Sequence, residues 1–270
     1  MLEILKKIIP ANLFRFFQPG YHFLLSALGA VVYGFPSSRL VVIAVTGSKG
    51  KTTTTELVNS ILEQAGYKTV VANTVRFKVA GESTRNTFKM TMPGRFFLQQ
   101  LLQKGVAAGC THAVIEMSSE GAKQFRHRFI DLDALIFTNL EKEHIEAHGS
   151  YEKYVEAKLD IARQLLRGKK KDSFLILNRD EQESEKFAEV GNHSPKVSAL
   201  QTLWYGLKDA EPFEIGTNST SFTFRGAHIT APLIGRFNLF NMLAAATLGE
   251  AFGIKAGVIR GGLESFPGVA

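Results

Sequence analysis

What the chain has little of narrows its reading first. Its 270 residues hold one cysteine, Cys110, which excludes a disulfide framework and any zinc cluster built on cysteine. Gly109 and Thr111 beside it read as a helix-to-strand turn, so the thiol is taken as structural. No apolar run reaches the ~20 residues that span a bilayer. The nearest, residues 21–34, is followed by no A-x-A-like site and runs through Phe35-Pro36-Ser37-Ser38-Arg39 into a strand, unlike a secretory leader. Internal repeats and low-complexity segments are absent, and 45% hydrophobic with 21% charged residues carries no disorder signature. His144 and His148 stand four apart without an H-E-x-x-H or a third ligand, a weak zinc signal. No basic motif interleaved with aromatics accompanies the net charge of +7, so a phosphate-rich substrate explains the charge and nucleic acid is not expected as a partner. Part of that charge, residues 167–171, reads as a solvated loop.

What is present centres on residues 41–55, a β-branched apolar run ending in Gly47-Ser48-Lys49-Gly50-Lys51-Thr52-Thr53 and followed by a helical pattern. Strand, glycine turn and helix together make a phosphate cradle, because backbone amides and the helix dipole converge on one spot. Lys51 can reach outer phosphates, and the Thr52 hydroxyl can ligate a phosphate-bound Mg²⁺. The long P-loop pattern needs Gly where Val45 stands, so the motif is the shorter G-x-x-G-K-T. An ordinary left-handed turn before a capped helix is the competing reading, and the flanking strand and helix favour nucleotide binding.

From Leu40 onward strands and helices alternate, which implies an α/β fold with a mostly parallel sheet covered on both faces. Strands are expected over 40–45, 69–72, 113–117, 134–138 and 173–177, and helices over 52–65, 94–108, 151–166, 181–190, 238–252 and near 256–263. Residues 75–90 read as a hairpin or a substrate loop. Residues 197–232 read as a small antiparallel β appendage. Residues 1–39 form an apolar helical extension that either packs on the following domain or attaches at a membrane interface through Phe14, Phe16, Phe17 and its Lys and Arg residues.

Ligands of open parallel sheets bind beyond the strands' carboxyl ends. Glu116 ends an apolar strand, where a carboxylate is costly unless paired or metal-bound. His144 follows another strand end in an acidic loop, as either an exposed histidine or a metal ligand. Lys158 is the only charge in the apolar arc of helix 151–166. It either snorkels or, held in apolar surroundings, becomes neutral and able to form a carbamate with CO₂.

These segments resemble the Mur ligases, ATP-dependent amide-forming enzymes of peptidoglycan synthesis. Residues 46–53 resemble their ATP loop, and Glu116-Met117-Ser118-Ser119-Glu120-Gly121 resembles an E-V-S-S-H-G segment. Residues 138–149 resemble T-N-L-x-x-D-H-L-D-x-H-G, and Tyr154-(x2)-Ala157-Lys158 resembles the stretch around a carbamylated lysine. Gly235-Arg236-Phe237-Asn238 with Asn241, Ala244 and Ala245 resembles the segment that meets adenine. Within the family, the motifs are most similar to the branch that adds a third residue to UDP-N-acetylmuramoyl-dipeptide. Glu120 and Glu143 stand where the family has His and Asp.

The resemblance implies ATP and Mg²⁺ as cofactors. Gly47, Ser48, Lys49, Gly50, Lys51, Thr52, Thr53 and Asn241 would bind the nucleotide. Thr52, Glu116, His144 and carbamylated Lys158 would hold metal, with Lys51, Lys158 and His144 as catalytic groups. Thr91, Met92, Ser118, Gln124 and Arg126 would meet a UDP-N-acetylmuramoyl-peptide, which an amino acid joins through an acyl phosphate. Residues 40–270 correspond to the family's central ATP-binding domain, so a C-terminal domain or partner chain would complete the site. A folylpolyglutamate or cyanophycin synthetase-like ligase, or a membrane-associated nucleotide-binding module, are the alternatives. A cytoplasmic location, with or without membrane association, follows from the same reading.

Overall fold

The computed structural model describes residues 11–88, 90–141, 148–192 and 200–269, with backbone alone for 11–16 and 192. A 22-residue helix α1 (Ala11–Val32), with Pro19 inside it, leads through a 3₁₀ turn (Pro36–Arg39) into β1 (Val41–Thr46). There follow α2 (Lys51–Gln64), β2 (Thr69–Ala72), β3 (Arg76–Val79), β4 (Glu82–Arg85), α3 (Arg95–Ala107), β5 (His112–Glu116) and α4 (Ser119–Lys123). Next come β6 (Ala134–Phe137), α5 (Tyr151–Arg167), β7 (Ser173–Asn178), α6 (Ser184–Asn192) and β8 (Leu200–Tyr205). Strands β9 (Phe213–Ile215), β10 (Thr220–Phe224) and β11 (Ala227–Ala231) precede α7 (Arg236–Ala251) and α8 (Ala256–Glu264).

Eight strands form one sheet in the order β4-β3-β2-β5-β1-β6-β7-β8. Strands β2, β5, β1, β6, β7 and β8 pair in parallel, and β3 and β4 add an antiparallel edge. The central strands are apolar on both faces because helices cover both. Along β1 the period of two is plain: Val42 and Ala44 enter one core with α3 and α5, while Ile43 and Val45 enter the other with α2 and α7. The chain goes to one side of β1 for β2 and β5 and to the other for β6, β7 and β8, so the sheet's switch point lies at the carboxyl ends of β5, β1 and β6.

The segment 75–90 contains a hairpin, β3–β4. The appendage is smaller than the sequence suggests. Residues 213–231 form a three-stranded antiparallel sheet, β11-β10-β9, whose Phe222, Phe224, Ile229 and Ala231 join the core beside α7 and α8. Residues 200–205, expected in that appendage, instead pair in parallel with β7 and end the main sheet. Both faces of this strand are partly covered, with Leu200 and Trp204 packed on one core and Leu203 and Tyr205 on the other. Residues 167–171 also differ from a purely solvated loop, because the Lys170 ammonium donates to the Leu40 carbonyl at 2.6 Å and pairs with Asp133 at 3.0 Å.

Of the N-terminal segment, residues 11–32 form a helix packed on the domain, while residues 1–10 and the side chains of Phe14 and Phe16 lie outside what the structure describes. Ser26 and Ala30 of α1 are buried, and Gly29 lies against the Arg95 backbone at the start of α3. Among the described residues no helix is long and apolar enough to cross a membrane. Cys110 is buried and its thiol donates to the Thr69 carbonyl at 3.4 Å, a structural role.

Candidate functional site

The turn between β1 and α2 is built on two glycines that nothing larger can replace. Gly50 has φ +80°, in the left-handed region. A Cβ there would lie 2.2 Å from Asn241 Oδ1, and a Cβ at Gly47 (φ +149°) would lie 1.9 Å from Thr138 Oγ1. The turn is clamped by the end of β6. Asn139 O accepts from Ser48 N (2.8 Å), Asn139 Oδ1 accepts from Lys49 N (2.9 Å), and the Thr138 hydroxyl donates to Lys49 O (2.8 Å). Lys51 opens α2 and folds back, its ammonium donating to Ser48 O at 2.6 Å. Asn241 on α7 accepts from the Thr54 hydroxyl at 3.2 Å, so the expected adenine-side residue stands directly behind the turn.

Glu116 is the last residue of β5, paired in register with Val45. It is 2% exposed. The Thr52 hydroxyl donates to its Oε2 at 2.9 Å, joining the two residues expected to share a metal. Thr74, in the turn after β2, adds its N–H (3.0 Å) and hydroxyl (3.1 Å). Among the described residues these hydrogen-bond donors are all neutral, so none of them competes with a cation for the carboxylate. The sequence reading does not single out Thr74, a turn threonine with no motif around it.

Lys158 does not snorkel. It is 1% exposed, its Nζ donates to the Gly47 carbonyl at 2.5 Å, and it lies 4.9 Å from the centre of the Tyr154 ring. One turn earlier on α5, the Tyr154 hydroxyl meets Ser48 Oγ at 2.7 Å, and Ser48 Oγ also accepts from Glu141 N at 2.9 Å. Tyr154, which the sequence reading places only on the apolar arc and in a motif, is thus a site residue. His148 is buried, with its Nε2 3.1 Å from Ser119 Oγ and 3.2 Å from Glu120 Oε1. The glutamate standing in place of the family's histidine therefore pairs with the second histidine of the H-x-x-x-H. His144 and Glu143 lie outside the described residues.

The remaining expected residues form the other wall. Ser118 caps α4 by accepting from Gly121 N at 3.2 Å. The Arg126 guanidinium donates to the Met92 carbonyl and, at 2.8 Å, to Gln124 Oε1. Arg126 Nε is buried without a partner among the described residues. Thr91 shares a hydrogen bond with Thr74 at 3.0 Å, tying this wall to Glu116. A cavity of about 360 Å³ opens between the walls. Gly47, Ser48, Lys51, Tyr154 and Lys158 line it on one side, and Thr91, Met92, Ser118, Gln124 and Arg126 on the other. Asn241 and Thr52 are not among its lining residues; they support the turn from behind and below.

A glycine turn at a parallel-sheet switch point, a lysine and threonine at the start of α2, and a buried carboxylate against that threonine define a phosphate-binding α/β domain. Residues 45–249 match the Mur ligase middle domain, and the chain belongs to that family. Two curated relatives are UDP-N-acetylmuramoyl-L-alanyl-D-glutamate–2,6-diaminopimelate ligases. That of Bacillus velezensis is 34% identical over 256 residues, covering 91% of this chain and 50% of its own length. That of Thermosynechococcus vestitus is 34% identical over 252 residues, covering 90% and 48%. The chain thus spans about half the length of the curated relatives it matches. A solved ligase of the same name superposes with a TM-score of 0.74 at 24% identity, covering 86% of this chain and 47% of that one. Mycobacterium tuberculosis folylpolyglutamate synthase complexed with ADP gives 0.70 at 14% identity, covering 92% and 62%. Both solved structures share the fold.

Proposed function

We propose that residues 40–270 are the ATP-binding domain of an amide ligase that extends a UDP-N-acetylmuramoyl-peptide by one amino acid, and that residues 1–39 are an extension of it. The observation that carries this reading is the cavity shared by the phosphate-loop residues Lys51 and Lys158 and the substrate-side residues Ser118, Gln124 and Arg126. A carboxylate does not react with an amine until its oxygen becomes a leaving group. Phosphate binding and acyl-substrate binding must therefore meet within one enclosure, as these residues do.

The residues fit ATP with Mg²⁺. Gly47 and Gly50 leave no room for a Cβ at the cradle, α2 directs its N-terminus there, and Thr52 is held against the buried Glu116. Bound Mg²⁺ would neutralise phosphate charge during phosphoryl transfer. Thr52 and Glu116 would hold it, with His144 as a further ligand. Lys51 would swing from Ser48 O to a phosphate oxygen. Asn241, behind Gly50, would face the adenine. Lys158 lies where a carbamate could support a second ion. In forming one, its neutral amine adds to CO₂ and releases a proton. The Arg126 fork suits a carboxylate or phosphate of the peptide substrate. An enzyme using cytoplasmic nucleotide substrates works in the cytoplasm.

ATP-dependent phosphate release tests the reading. Release is expected with UDP-N-acetylmuramoyl-dipeptide plus a diamino acid and not with a folate plus glutamate. The reverse preference would overturn the substrate class, and release with neither would overturn the ligase reading for this chain.

A further inference from the structure

α1 has two unlike faces. Its inner face braces the loop that carries Gln124 and Arg126. The Ser26 hydroxyl donates to Phe125 O at 2.7 Å, and the Phe23 ring lies 6.1 Å from that of Phe125 and 5.2 Å from that of Phe129. His22 Nδ1 meets the Arg95 guanidinium at 2.6 Å, and Arg95 donates to Gln124 O at 2.9 Å. The outer face turns away from that loop. Phe17, Tyr21, Leu24, Leu28, Val31 and Val32 are all exposed, Leu24 by 68% and Phe17 by 62%. At ~100° per residue they fall in one arc about 100° wide, opposite Ser26 and Ala30. Phe35, just past the helix, extends the row. So continuous an apolar strip on a water-facing helix marks a docking surface.

The charge pattern selects the occupant. No Asp or Glu stands between Glu3 and Glu56, while Lys6, Lys7, Arg15 and Arg39 flank or interrupt the apolar row. A second copy of the same face would bring these cations together. An anionic lipid surface would neutralise them, and the aromatic residues at both ends of the row suit the headgroup boundary. We propose that the outer face of α1 seats this chain on an anionic membrane surface, lying in its plane rather than crossing it. The bracing contacts then hold the Gln124–Arg126 loop about one helix diameter, ~10 Å, from the lipid.

The test is co-sedimentation of the full chain with phosphatidylcholine vesicles, with and without phosphatidylglycerol, in the absence of nucleotide. The wild type is expected to pellet with the anionic vesicles, and to lose that binding at high salt. Leu24→Glu combined with Leu28→Glu is expected to stay in the supernatant with an unchanged urea unfolding midpoint, since both side chains face water. A wild type that pellets with neither vesicle overturns the proposal, as does a double variant that pellets like the wild type. A wild-type dimer that this variant turns into a monomer, without vesicle binding, also overturns it by showing a self-association face. Nucleotide binding measured on the same preparations keeps a failure here separate from a failure of the ligase reading.

Discussion

Replacing Gly50 by alanine is expected to cost about 3–4 kcal/mol, and the structure says why in two separable parts. The first is backbone strain: at φ +80° an L-residue pays roughly 1–2 kcal/mol. The second is collision. The new Cβ would meet Asn241 Oδ1 at 2.2 Å, Cγ at 3.1 Å and Nδ2 at 3.2 Å, all atoms of one side chain. Asn241 must leave, giving up its bonds to the Thr54 hydroxyl and to Asn238 Oδ1, worth about 1 kcal/mol each. Asn241→Ala alone loses the same two bonds, about 2 kcal/mol. Once Asn241 is shortened the collision is gone, so the double variant pays only the strain on top of that loss. The cycle should show a favourable coupling of about 2 kcal/mol, read from urea unfolding of the four proteins. Additive costs would refute the collision. A cost under about 1 kcal/mol for Gly50→Ala alone would refute the strain as well. Nucleotide affinity supplies an independent check, because Gly50→Ala displaces the cradle and Asn241→Ala leaves the turn's own backbone in place.

Three further outcomes follow from the site and its surroundings. Glu116→Gln keeps the acceptor for Thr52 and Thr74 but removes the buried charge, so titration calorimetry should show nucleotide affinity losing most of its Mg²⁺ dependence. Lys158→Met strips the donor from the Gly47 carbonyl, at about 1–3 kcal/mol in unfolding. It should also abolish substrate-dependent phosphate release, which bicarbonate should not restore; retained release would refute the carbamate role. Burial lowers the His112 imidazole from 6.5 to about 4. The unfolded chain therefore binds the extra proton first, and this stability is full above pH 6.5 and lost progressively as pH falls toward 4. Buried His127 is also lowered by desolvation. His112→Gln should flatten the slope of urea midpoint against pH in that window without removing it.

The parallel strands and their helices are legible because each carries one dominant signal. Residues 41–46 are β-branched except for Ala44 and, after Val41, fully buried, and α5 has a broad apolar arc whose only charge, Lys158, proves to be deeply buried. Residues 200–205 are illegible as a sheet member, since this partly covered edge strand packs apolar residues on both faces around polar Gln201 and Thr202 and shows no single period. At the site, residues inside long motifs can be found in sequence, and Lys51, Thr52, Glu116 and Arg126 do reach one region. Thr74 cannot be found that way. Its contribution is two bonds to Glu116 from an irregular turn, and neither composition nor spacing encodes where a turn will point. The pairing of Glu120 with His148 is hidden for a related reason. Each residue has an ordinary local setting, and only packing of α4 against the start of α5 brings them within 3.2 Å.

The burial of Lys158 follows from how α5 meets the phosphate turn. Residues 154 and 158 are i and i+4, so their side chains lie one above the other on one face of the helix. Tyr154 reaches Ser48 and Lys158 reaches Gly47, two consecutive residues of the same turn. A lysine on that face therefore cannot snorkel past the turn, which is clamped on its far side by Thr138 and Asn139, and meets only the cavity it lines. The carboxyl ends of β1 and β6 hold the turn still, and α5 uses that rigidity to keep an amine buried at the edge of the cavity beside the phosphate turn. The ammonium's bond to the Gly47 carbonyl stabilises the turn, and that gain works against the desolvation cost of burying it. Under the proposed carbamate role, the same burial would favour the neutral amine that adds to CO₂.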